Sequence, residues 1–232
     1  MTRDGRRRAI LAIDTATTRV FIATGSPAGV ADGISSWVAG HRHGETLLPT
    51  LGRFLGEQEL RRSGLVGIVV GTGPGAFTGL RVGIATAKGL AHGLGIPLVG
   101  VSSGEALIAA AHGADPSIAP ARLVLLLPAG PRDRLVVRTG TPPSALATGL
   151  EPDLAAGEVL VAVDLDGRAP ADATARGEAA RAGLGAALLA AGAVRLAESV
   201  PDELATLVPD YVTLPRGAGP AHGSIAWSRD HR

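Results

Sequence analysis

The stretch Leu65-Val-Gly-Ile-Val-Val-Gly-Thr-Gly-Pro-Gly-Ala-Phe-Thr-Gly-Leu-Arg-Val-Gly-Ile-Ala-Thr-Ala-Lys-Gly-Leu90 changes its period partway along. Leu65 to Val70 is rich in β-branched residues, as a buried strand requires. Gly71 to Gly79 follows as a glycine-rich loop. From Leu80 to about Gly93, Leu80, Ile84, Ala87, Ala91 and Leu94 recur at helical spacing. Strand, loop and helix in direct succession are part of a crossover unit, and such units build a partly parallel, helix-covered sheet.

The segments on either side extend this pattern. Upstream, Glu45 to Leu55 sets Leu47, Leu48, Leu51 and Leu55 on one helical face, with Pro49 tolerable only near the first turn or at a kink. Before it, Ala9-Ile-Leu-Ala-Ile13 is a buried strand ending at Asp14, and Val20 to Thr24 and Gly33 to Val38 are two more strands. Downstream, Pro97 to Val101 is a strand and Ser102 to His112 a helix. The order βββαβαβα makes residues 1–112 an α/β lobe. The polar, proline-containing break Asp115 to Pro120 separates it from a smaller second lobe, residues 113–214. That lobe is predicted to hold strands at Leu123 to Leu127, Leu135 to Val137 and Val159 to Val163, a surface loop over Thr141 to Pro152, and an alanine-rich helix from Gly177 to Ala191. Pro215 to Arg232 lacks periodicity and reads as a flexible tail.

Composition narrows the function classes. Of 232 residues 46% are hydrophobic, and the 33 glycines and 16 prolines follow no repeat, which excludes collagen and low-complexity disorder. Lys and Arg total 22 against 21 Asp and Glu, a net charge of +1, so a self-sufficient nucleic-acid binder is disfavoured. The absence of cysteine removes disulfides, thiolate metal sites and thiol nucleophiles. The apolar run after the basic N-terminus stops at Asp14, too short for a signal core or a membrane span, and a cytoplasmic protein is expected.

Two segments could hold an anion. Asp14-Thr15 at a strand's carboxyl end suits either a metal-bound water and a phosphate or a turn that satisfies its own backbone. The glycines around Pro74, Gly73 and Gly75 among them, suit either an anion cradle at a helix N-terminus or close backbone packing. Thr78 is the expected cap of the following helix. Gly79-Gly83-Ala87 and Ala85-Gly89-Gly93 place small residues on two faces of that helix. Interior glycines each cost a helix roughly 1 kcal/mol, so close contact on both faces is expected. His41, His43 and Glu45 fall short of the three or four convergent ligands a zinc site needs, and G-x-S-x-G is absent. Neither a metal nor a catalytic residue is expected.

Together, Ile10-Leu-Ala-Ile-Asp-Thr-Ala-Thr17, His43-Gly-Glu-Thr-Leu-Leu-Pro49, Gly71 through Leu90 and Ile96-Pro-Leu-Val-Gly-Val-Ser-Ser103 resemble the bacterial TsaB (YeaZ) family over about residues 9–112. The resemblance implies an actin/Hsp70/sugar-kinase type of fold with two RNase H-like lobes. It implies a role in forming threonylcarbamoyladenosine beside the tRNA anticodon, as the non-catalytic partner of the metal-holding transferase TsaD, with the ATPase TsaE joining. It also implies that tRNA is met through the complex, that no cofactor is tightly bound, and that a nucleotide sits at the complex interface if anywhere, with Asp14, Thr15, Gly73 and Gly75 as its candidate loop. The partner surface it implies comprises Leu47, Leu48, Leu51, Leu55, Thr78, Leu80, Arg81, Gly83, Ile84 and Ala87, and the isolated chain could homodimerise there. On that view Gly83→Leu or Ala87→Glu breaks association and leaves the monomer folded.

The match is incomplete in the second lobe. Pro128-Ala-Gly-Pro-Arg-Asp-Arg-Leu-Val-Val137 lacks the glutamate and tyrosine of the family's corresponding stretch, and in Pro209-Asp-Tyr-Val-Thr-Leu214 Thr213 stands where the family has arginine. The rival reading from the residues is an enzyme of the same fold, either an ATP-using phosphotransferase with Asp14 positioning a metal-bound water or a peptidase. Lys88, the sole lysine, lies within the central motif.

Overall fold

Strand β1 (Ala9–Asp14) lies at the centre of a five-stranded sheet. It pairs antiparallel with β2 (Arg19–Gly25) through a tight hairpin, and β2 pairs antiparallel with β3 (Ala31–Val38). On its other side β1 runs parallel to β4 (Leu65–Gly73), which runs parallel to β5 (Leu98–Ser102), giving the order β3-β2-β1-β4-β5. The structure is a computed structural model that describes residues 7–40, 42–129, 133–198 and 201–212. The expected tail over 215–232 lies outside the described residues.

Two helices cover the outer face of this sheet, α1 (His43–Glu57) and α2 (Phe77–Leu94). Alternation along the strands sorts the side chains. Leu11, Ile13, Ile22, Ile68 and Val70 meet Leu47, Leu51, Phe54 and Ala87 on that face, while Ile10, Ala12, Ala23, Val69 and Val99 point to the other. Pro49 lies inside α1 and on its exposed side, so the carbonyl that Pro49 leaves without a helical bond, that of Glu45, is within reach of water.

The second sheet repeats the plan in shorter form. Strand β6 (Leu123–Pro128) pairs antiparallel with β7 (Arg134–Val137), β7 with β8 (Ser144–Leu146), and β6 runs parallel to β9 (Val159–Ala162), in the order β8-β7-β6-β9. Strand β8 falls within the stretch expected to be loop, because Ser144 to Leu146 completes the open edge of β7.

Helices α3 (Ser103–Ala114) and α4 (Ala171–Ala197) lie between the two sheets. One apolar core runs from Ile10, Val69 and Val99 through Leu107, Leu184 and Leu188 to Leu125, Val137 and Val161. Helix α4 is longer than expected and, by length and hydropathy, apolar enough to cross a membrane. Its Ala180, Leu184, Leu188 and Leu189 are buried between the sheets, which accounts for that composition. The lobes are also tied by Asp164, whose carboxylate accepts from the Thr18 N–H at 2.6 Å and pairs with Arg181 at 2.5 Å.

After α4 the chain returns over the edge of the first sheet. The Asp202 N–H donates to the Leu98 carbonyl (3.0 Å), its carboxylate accepts from the Gly100 N–H (2.7 Å), and Arg195 bonds both the Gly100 carbonyl and Asp202. The outer edge of β5 is thereby satisfied without a further strand. Arg176 caps the Leu160 carbonyl of edge strand β9 in the same manner (2.7 Å).

Candidate functional site

The carboxyl ends of β1, β4 and β5 converge on Asp14, which is fully buried. Its Oδ1 accepts from the Ala16 N–H (2.9 Å) and its Oδ2 from Ser103 Oγ (2.5 Å), and Ser103 Oγ in turn accepts from the Gly73 N–H (3.1 Å). Burial pushes the Asp14 carboxyl up to about 6, against the two hydrogen bonds that lower it. The carboxylate fits because position 71 has no side chain; a Cβ there would stand 1.9 Å from Asp14 Oδ2.

The glycine-rich segment is shorter as a loop than expected. Gly71 to Gly73 belong to β4 and pair with β5, and α2 already begins at Phe77. The N-cap is Ala76, without a side-chain bond, so Thr78 does not cap the helix. What holds the turn is its neighbour: the Ala76 N–H donates to the Ala16 carbonyl (2.7 Å), and a Cβ at Gly75 would lie 2.1 Å from that oxygen. Thr15 Oγ1 donates to the Gly79 carbonyl (2.8 Å) and occupies the space left open at Gly83. Asp14, Thr15, Gly73 and Gly75 are thus brought together, and their hydrogen bonds and close approaches go to Ser103, Gly79 and Ala16 of the same chain. Of the two readings of these glycines, the geometry supports close packing.

The expected partner surface divides in two. Leu47, Leu51, Leu55, Leu80, Gly83, Ile84 and Ala87 are buried within the chain, whereas Leu48, Thr78 and Arg81 face outward. Leu48 departs from the face expected for it because neighbours in a helix point about 100° apart. Gly83→Leu and Ala87→Glu would therefore disrupt the fold itself, since Gly83 rests on Thr15 and Ala87 has no exposure. The second small-residue face, Ala85, Gly89 and Gly93, is exposed, and nothing lies within 4 Å of a Cβ built at either glycine.

His43 is buried with Nε2 unpaired, beside Gly79 in the first turn of α2. His41 lies outside the described residues, and no group of three or more His, Asp or Glu suited to a metal occurs among those described.

Two features escape a reading of the sequence. Ser103 seals Asp14 from 89 positions away in sequence, and its signal is no more than its place in the Val-Ser-Ser103 segment. The C-terminal Pro209-Asp-Tyr211 returns to the head of α2. There the Asp210 N–H donates to the Thr72 carbonyl (2.8 Å), Thr72 Oγ1 donates to Asp210 (2.6 Å), and Tyr211 lies against Phe77 with ring centroids 4.8 Å apart. Arg81 Nε donates to the Tyr211 hydroxyl (2.9 Å), and its guanidinium lies 4.1 Å from the Phe77 ring centroid.

Two lobes, each with its sheet begun by an antiparallel three-strand meander and continued in parallel, define a protein of the actin/Hsp70/sugar-kinase architecture. YeaZ from Pseudomonas aeruginosa has the same fold, with a TM-score of 0.65 at 23% identity over 88% of this chain and 99% of that one. The family model described as TsaD: tRNA N6-adenosine threonylcarbamoyltransferase matches residues 28–216; the chain belongs to this family and is a TsaB-like member of it. The tRNA threonylcarbamoyladenosine biosynthesis protein TsaB of Escherichia coli is 35% identical over 94 residues, 40% of each chain. Its Bacillus subtilis namesake is 35% identical over 111 residues, 48% of each. An uncharacterized protein of Mycobacterium leprae is 43% identical over 107 residues, 42% of this chain and 28% of that one. The chain spans about half or less of the length of these curated relatives.

Proposed function

We propose that this chain is a non-catalytic subunit in the biosynthesis of tRNA threonylcarbamoyladenosine, acting in the cytosol beside a TsaD-class transferase. The observation that carries this reading is the closure around Asp14, where the carboxyl ends of β1, β4 and β5 converge. Asp14 is fully buried and bonded on both oxygens, and the glycine turn next to it is packed on Ala16. A catalytic carboxylate must reach its substrate or a metal-bound water, and this one reaches Ser103.

The outer surface of α1 and α2, with Leu48, Thr78, Arg81, Ala85 and Gly89 exposed, is the face proposed to meet the transferase. A net charge of +1 argues against this chain holding tRNA by itself, so contact with tRNA is proposed to come through the assembled complex. A TsaE-class ATPase is proposed to join that complex. No resident cofactor is required of this chain.

The test is reconstitution. Purified transferase, ATPase and threonylcarbamoyl-adenylate are expected to modify tRNA when this chain is added and to lose most of the activity without it. Equal modification in its absence would refute the reading. ATP turnover by the isolated chain, abolished by Asp14→Ala, would favour the phosphotransferase instead.

A further inference from the structure

We infer that Tyr211 is a positioning residue that holds Arg81 as a pre-oriented donor for a carboxylate on the protein partner bound at the α1–α2 face, an inference that rests on the subunit reading above.

The charges of the two helices differ in kind. On α1, Glu45 pairs with Arg42 (2.7 Å) and Glu57 with Arg53 (3.7 Å), so its acids are matched locally. Helix α2 contains no acidic residue and carries Arg81, Lys88 and His92. Among the described residues neither Arg81 nor Lys88 has an ion pair. The unmatched charge on the two helices is positive, and Asp210 beside them is engaged by Thr72 (2.6 Å); the partner that complements the helices presents acidic side chains.

Arg81 is the member of this set whose geometry is fixed. One face of its guanidinium lies on Phe77 at 4.1 Å, and its Nε donates to the Tyr211 hydroxyl at 2.9 Å. Tyr211 is itself set by the 4.8 Å ring contact with Phe77 and by the paired bonds of Asp210 to Thr72 on β4. These contacts use Nε and one π-face. The two terminal nitrogens, Nη1 and Nη2, have no partner among the described residues, and the two oxygens of a carboxylate can accept from one N–H of each. A side chain fixed before binding loses less freedom when it binds. The stack leaves Tyr211 37% exposed and Arg81 in solvent, which suits a surface contact better than a core one.

The experiment measures the affinity of the intact chain for its purified transferase by calorimetry, at about 50 mM and about 300 mM salt. Variants are Arg81→Ala, Tyr211→Phe and the double variant, each checked by thermal melting. Arg81→Ala is expected to weaken binding roughly tenfold and to reduce its salt dependence. Tyr211→Phe keeps the ring and removes the acceptor; it is expected to weaken binding about threefold when Arg81 is present and to have no effect when Arg81 is absent, with melting unchanged. An unchanged affinity for Tyr211→Phe, or an equal loss in the Arg81→Ala background, overturns the inference. Tighter binding by Tyr211→Phe also overturns it and shows that the C-terminal segment masks Arg81. If the unaltered chain does not bind the transferase at either salt concentration, the subunit reading fails and this inference falls with it.

Discussion

Ser103 Oγ lies 2.5 Å from Asp14 Oδ2, and the two residues join the start of α3 to the end of β1 inside a site with no exposure. A carboxyl raised to about 6 here, against 3.8 ordinarily, binds a proton more readily in the folded chain than in the unfolded one. The folded state is therefore favoured at low pH, and this contribution is lost as pH rises from about 4 through about 6. The loss is at most about 3 kcal/mol. Asp14→Asn should abolish that slope, and urea melts of both forms between pH 4 and pH 7 would read the difference. Glu158, held at about 2 chiefly by its bond to Arg138, acts in the opposite sense, losing its contribution as pH falls toward that value, and it is common to both forms.

Glycine-to-alanine changes should take opposite signs at two positions. A Cβ at Gly75 meets the Ala16 carbonyl at 2.1 Å, backbone against backbone, so Gly75→Ala should destabilise by about 2–4 kcal/mol. Gly89 lies within α2, exposed and with open space around it, so Gly89→Ala should stabilise by about 0.5–1 kcal/mol. Chemical denaturation of the two variants checks both signs.

Adjacent leucines on α1 should likewise part company. Leu48 is 54% exposed and Leu47 1%. Leu48→Asp should leave the melting temperature within a degree or two and weaken association with the transferase, whereas Leu47→Asp should prevent folding by burying a charge against the sheet. Light scattering and thermal melting distinguish the two.

Asp202→Ala should uncover the edge of β5. The Gly100 N–H loses its acceptor and Arg195 its counter-charge. A stability loss of about 1–2 kcal/mol is expected, with faster aggregation on heating. A heating scan that follows scattering together with circular dichroism would detect both.

The first sheet was legible because its strands are short apolar runs bounded by polar turns, and β1 shows this in five consecutive residues, Ala9 to Ile13. The ends of α4 were not legible. A helix buried between two sheets has no single apolar stripe, and its alanine- and glycine-rich flanks give little periodic signal. Thr78 suits a cap by residue type, but the Ala76 N–H is held by the Ala16 carbonyl of a distant hairpin, and the helix begins at the next residue. The residues of the candidate anion loop lie together near Asp14, but their packing depends on Ser103 and on contacts between backbones, which sequence spacing does not encode.

Helix α4 also sets the order in which this chain can finish folding. It is the last helix among the described residues, yet it packs on β1, β2, β4 and β5 as well as on β9. While the chain is being synthesised, the inner face of the first sheet, with Ile10, Val69 and Val99, lacks this cover until residue 197 has left the ribosome. The amino-terminal lobe is thus complete in sequence long before it is complete in structure. Premature termination anywhere short of α4 yields a sticky fragment with apolar β-surface open to chaperones and proteases.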